Sequence, residues 1–184
     1  MTSRGEGGSV TIAEVALRCE TFPHERHDMA EDDVDFAVAA YHDEGRWQVV
    51  ELDPRLGEDI DDLREALGRF PSDVGVLGLV SMNDDFFVIV RRSGTQVRAM
   101  LSDFTAIDDW PLAGGVADLL DLAPGAGSVI EAEAVGDLDI LSDLGVTASD
   151  LVAWCDDDDL FPDDVLFDVA ERIGFGGELE AVLG

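Results

Sequence analysis

The chain has 184 residues and a formal net charge of -31, made of 42 acidic residues against 11 basic ones, all of them arginine. A surface this acidic repels nucleic-acid phosphates and membrane headgroups and attracts basic proteins, so it sets aside direct nucleic-acid and membrane binding and points to a basic partner. The same charge also serves solubility, while the 46% hydrophobic content is too high for a disordered acidic tail and predicts a folded protein.

Residues 1–33 mix Gly, Ser, His and acids around one short apolar stretch, Val10 to Leu17, and read as a disordered arm. From Val34 the pattern has a period of two: Val34, Phe36, Val38 and Ala40 alternate with Asp35, Ala37 and Ala39, as in a strand with one face buried more deeply than the other. Glu44-Gly45 turns the chain into a second strand at 46–52, which Asp53-Pro54 ends. Ile60, Leu63 and Leu67 make one stripe of a helix over 57–67, with Asp59, Asp61 and Asp62 at its positive end and Gly68 and Pro71 beyond it. Three strands follow at about 74–81, 85–92 and 95–102, with turns at Asn83-Asp84 and Ser93-Gly94. The run Phe86 to Val90 is apolar throughout and suits a central strand covered on both faces. Pro111 opens a helix over 110–121.

Residues 122–136 read as a linker to a helical module over 137–184. There Leu138, Leu141 and Leu144 precede Gly145, Thr147 to Asp150 resembles a capping box, and Pro162 opens a helix that Gly174 stops. A last short helix holds Leu179 and Val182. The expected architecture is α+β: a five-stranded antiparallel sheet in the order strand, strand, helix, three strands, helix (34–121), followed by a small acidic all-helical module. That element order is analogous to profilin, longin and roadblock domains, an analogy that transfers no function.

Familiar catalytic constellations are missing. A zinc deaminase needs a His or Cys ligand beside a Glu and a later Pro-Cys-x-x-Cys pair, but Cys19 and Cys155 stand alone and are expected to be free thiols. His24 and His27 are three residues apart rather than four and do not form HExxH. There is no GxxxxGK[ST] loop, no GxSxG elbow and no GxGxxG unit; Gly75 and Gly78 read as close backbone approaches or bulges. No cofactor is expected. No apolar run reaches the roughly 18–20 residues of a bilayer span and no leader pattern opens the chain, which predicts a soluble, cytoplasmic protein.

Two places draw attention as partner-binding candidates. Asp156, Asp157, Asp158 and Asp159, with Asp163 and Asp164 beyond, are the densest carboxylates; they fit a solvated loop that caps the next helix, a docking patch, or a weak divalent-ion site without the spacing of an EF-hand. Asp103, Asp108, Asp109 and Trp110 lie where strand passes into helix, and Trp110 is either an exposed interface anchor or a plug beneath the helix. Asp137 and Asp139 read as acids at a helix start rather than a metal pair.

The segments DFAVAAYHDEGRW (35–47), LGLVSMNDDFFVIVR (77–91), SDFTAIDDWPLA (102–113) and GDLDILSDLGV (136–146) resemble the tRNA adenosine deaminase-associated proteins of actinobacteria, nearly continuously from Asp35 to Phe175. The resemblance implies association with the enzyme that makes inosine in the tRNA anticodon and carries over no catalytic residue. The expectation is thus a non-catalytic accessory protein that docks an acidic surface on a basic partner, the tRNA adenosine deaminase. The alternatives are an Asp-rich, divalent-metal-dependent enzyme and a stand-alone regulator that forms homo-oligomers through a sheet edge.

Overall fold

Short turns between apolar or alternating runs build most of the sheet. The computed structural model describes residues 33–122 and 133–184, so the expected arm, with His24 and His27, and most of the 122–136 linker lie outside the described residues. Strands β1 (Val34–Asp43) and β2 (Arg46–Glu51) form a hairpin whose turn residues, Glu44 and Gly45, both have positive φ, the twist such turns require. A single 3-10 turn (Pro54–Gly57) leads to α1 (Ile60–Leu67), where the Asp59 side chain caps the backbone N–H groups of Asp61 and Asp62. Then come β3 (Val76–Met82), β4 (Phe86–Ser93), β5 (Gln96–Leu101), a 3-10 turn (Phe104–Asp108) and α2 (Pro111–Leu119).

The sheet has six strands rather than the five expected from the sequence. Val135 and Gly136, read as linker, form β6 and pair antiparallel with Leu101 and Met100, giving the order β2-β1-β3-β4-β5-β6. Gly136 has φ of +100°, and a Cβ there would lie 2.5 Å from the Ala99 carbonyl oxygen, so the close pairing depends on glycine.

Both sheet faces are covered. On one, Ala37, Ala39, Val80, Val88 and Leu101 pack with Leu63 and Leu67 of α1 and Leu112 and Val116 of α2. On the other, Phe36, Val38, Leu79, Phe87, Ile89 and Met100 pack with α3 (Ala148–Cys155), α4 (Pro162–Ile173) and α5 (Gly176–Leu183) through Leu151, Val165, Leu166, Val169, Phe175 and Leu179. The expected depth difference across β1 therefore disappears: Ala37 and Ala39 are as deeply buried as Val38, and the Pro54–Gly57 3-10 turn covers β1 closely enough that a Cβ on Gly57 would lie 3.5 Å from Ala37 Cβ. Each large apolar side chain enclosed this way contributes about 1.5–3 kcal/mol, which the short C-terminal helices lack in isolation.

Local signals explain the rest. Thr147 and Asp150 form a reciprocal capping box on α3, and Gly174 ends α4 in the left-handed conformation. The Leu138, Leu141, Leu144 spacing belongs to a tight turn with a 3-10 helix at Ser142–Leu144, not to an α-helix, since a period of three is that of the 3-10 form. Gly75 and Gly78 are close approaches: added Cβ atoms would lie 2.4 Å from Ser93 Oγ and 2.9 Å from Leu67 Cδ1.

Candidate interaction surface

Three distant segments converge on a shallow cleft of about 130 Å³. It is lined by Asp84 and Asp85 of the β3–β4 turn, Phe87, Ser102 and Asp103, then Trp154 and Cys155 from the end of α3, and Leu160, Pro162 and Val165 around the start of α4. Hydrogen bonds hold each rim in place. Asp35 Oδ2 accepts from Ser81 Oγ at 3.0 Å and from the Asp84 N–H at 3.3 Å, fixing the turn. The Phe87 N–H donates to Ser102 Oγ at 2.8 Å, and Asp103 Oδ1 accepts from the Thr105 N–H at 2.8 Å. Across the cleft, the Asp159 N–H donates to Asp157 Oδ1 and the Leu160 N–H to the Asp157 carbonyl, both at 3.1 Å, which gives the 156–160 loop a defined shape.

The structure divides the residues singled out from the sequence. Asp103 lines the cleft, and the exposed Asp156, Asp157, Asp158 and Asp159 form the loop between Cys155 and Leu160, both of which line it. Asp108 and Asp109 are exposed, while Trp110 is half-buried against Phe86 with ring centroids 5.7 Å apart. Phe86 and Trp110 pack with the α1–α2 core and Phe87 with the opposite one, so Trp110 belongs to the other face of the sheet. The cap of α4 comes from Asp164, whose Oδ2 accepts from the Phe161 N–H at 3.2 Å, and not from the 156–159 run.

Sequence reasoning missed Asp84, Asp85, Trp154, Leu160 and Phe161. One local signal was available: Phe161 occupies the N-cap of α4, where Ser, Thr, Asp or Asn is preferred, and its side chain makes no capping bond. It is also 56% exposed, against 37% for Val152 on the preceding helix.

The charge of the described arginines is largely spent inside the molecule. Arg91, only 6% exposed, pairs with Asp143 and donates to the carbonyls of Val74 and Ile140. Arg98 pairs with Asp137, Arg64 with Asp61, Arg69 with Glu65 and Arg172 with Asp150, while Arg92 donates to the carbonyls of Arg64 and Gly94. Asp137, read from sequence as a helix-start acid, is thus an ion-pair partner of β5. Hydrogen bonding from Arg98 holds its carboxyl below the usual range, and Arg91 does the same for Asp143. Among the described residues, Asp84, Asp85, Asp103 and Asp156 to Asp159 have no ion-pair partner. Burial, with the Asp156 charge beside it, pushes the Cys155 thiol up to about 12. Among the described residues, no three His, Cys, Asp or Glu side chains are grouped as a metal ion would need, and no helix is long and apolar enough to cross a membrane.

The family model of Rv3753c-like tRNA adenosine deaminase-associated proteins matches residues 35–176. The chain belongs to this family. It is 35% identical over 150 residues to Protein Rv3753c of Mycobacterium tuberculosis, covering 80% of this chain and 87% of that protein. No solved structure matches. The span shared with the deaminase-associated family contains the whole cleft, from Asp84 to Val165.

Proposed function

We propose that the protein is a non-catalytic accessory factor of a tRNA adenosine deaminase and that it docks its acidic surface on a basic face of that enzyme. The observation that carries this reading is membership of a family described by association with the deaminase. Charge distribution supports the mode: the described arginines are largely engaged internally, whereas seven carboxylates in and beside one cleft have no cationic partner among the described residues. A cytoplasmic location goes with this reading. So does the division into a 34–121 α+β scaffold and an acidic 137–184 module. Calorimetric titration of the purified deaminase with the full chain tests it. A saturable complex that weakens as salt is raised is expected; failure to form any complex at low salt would refute the proposal.

Self-association is a second reading, favoured by the outer edge of β2, a six-residue strand with neither proline nor lysine to discourage pairing. Mass measurement in solution distinguishes a monomer from this oligomer.

A further inference from the structure

We infer that the cleft beneath the 156–160 loop receives a basic segment of a partner protein, which inserts one apolar side chain beside Trp154, Leu160 and Phe161 and sets its cations against the surrounding carboxylates. The inference rests on the basic-partner reading above and narrows it to one face of the molecule.

The apolar contribution begins with Phe161. Trp110 and Phe175 also stand at helix N-caps without capping bonds, but each has a packing reason: Trp110 lies edge-on to Phe86, and Phe175 is fully buried with its ring centroid 5.0 Å from that of Trp47. Phe161 has neither reason, being more than half exposed at a position where a short polar residue would stabilise the helix. Phe161 stands in sequence between Leu160 and Pro162, which line the cleft together with half-buried Trp154. Aromatic anchors of this kind dominate interface energetics when a partner excludes water from them.

Size and charge select the occupant. A void of about 130 Å³ is below the roughly 300–1,000 Å³ of small-molecule sites, and admits a single side chain. Asp84, Asp85 and Asp103 line it, the 156–159 loop runs between two further lining residues, Cys155 and Leu160, and no described arginine lines it. Such crowding of like charge costs the free protein stability, and a cationic segment relieves it. A larger hollow of about 550 Å³ beside Arg91 and Arg92 lacks this selectivity: Asp73 and Asp143 also line it, and both guanidinium groups are already engaged.

The test uses the full chain and the purified tRNA adenosine deaminase of the same organism, with amide exchange and affinity as readouts. Protection is expected at 84–87, 102–103 and 154–165. Phe161→Ser should weaken the complex at least about ten-fold at every salt concentration. The double variant Asp84→Asn, Asp85→Asn should weaken it at low salt and progressively less as salt rises. Both variants should fold, since Phe161 is exposed and Asn tolerates the positive φ that Asp84 adopts. Protection at β2 and α5 instead, or unchanged affinity in both variants, would overturn the cleft while leaving the accessory reading intact. Failure to form any complex would overturn both.

Discussion

Arg91 on β4 and Asp143 in the turn before α3 form a two-pronged ion pair across 52 positions of sequence, with Nη2 2.7 Å from Oδ2. Only the aspartate reaches solvent, at 57% exposure against 6% for the arginine. The buried guanidinium also satisfies the carbonyls of Val74 and Ile140, so one side chain ties the sheet to the start of the C-terminal helical layer.

Removing the two partners should therefore have unequal effects. Arg91→Ala orphans two carbonyls and leaves a cavity, costing about 3–5 kcal/mol of unfolding free energy, whereas Asp143→Asn keeps those carbonyl bonds and a polar contact but strips the counter-charge from the buried guanidinium, costing about 2 kcal/mol. Urea denaturation of both variants measures the difference, and equal losses would contradict the role given to the buried guanidinium.

The Arg98 pair on β5 predicts a pH dependence. Its hydrogen bond lowers the folded-state pKa of Asp137, so the pair's contribution is complete above the unfolded carboxylate value of about 3.9 and is lost as pH falls through the lower folded value. Protonation of the many other acids also relieves self-repulsion in this range. The difference between wild type and Asp137→Asn isolates the pair: their stabilities should differ at pH 7 and converge under strong acid. A constant difference down to the acid limit would count against it.

Cys155 should be a sluggish thiol. With its pKa pushed up to about 12, little thiolate exists at neutral pH, so alkylation in a Cys19→Ser background should be far slower than for a free peptide thiol and should accelerate on unfolding. Rapid modification of the folded protein would show that the burial assigned to it is wrong.

The sixth strand depends on one glycine. Gly136→Ala imposes a strained positive φ and drives a Cβ into the Ala99 carbonyl, at a cost of about 2–3 kcal/mol. Hydrogen exchange should show the loss concentrated in β6 and the outer edge of β5. A neutral effect would mean that the pairing is dispensable.

The main strands were legible because each is an alternating or continuously apolar run and their turns carry Glu44-Gly45, Asn83-Asp84 and Gly94 at the required places. The capping pair Thr147 and Asp150 marked the start of α3 equally well, since its signal is local. Val135 and Gly136 were not legible: two residues are too few for a period, and Gly136 is chosen for its conformation rather than its polarity. The candidate surface was half legible. Charge density marked Asp156 to Asp159, but only the fold brings Asp84, Asp103 and Trp154 to one cleft and puts Trp110 on the opposite face of the sheet. Contacts made across such sequence distances leave no periodic trace.

The salt dependence of affinity between the full chain and the tRNA adenosine deaminase tests the account's central claim most directly, measured beside a variant with Asp156 to Asp159 all changed to Asn. Exposed ion pairs contribute about 0.2–1 kcal/mol each, so the four changes should weaken binding about ten-fold or more at low salt and flatten its decline as salt rises. Identical affinities and identical salt slopes for the two proteins would contradict the claim that this acidic surface meets the partner.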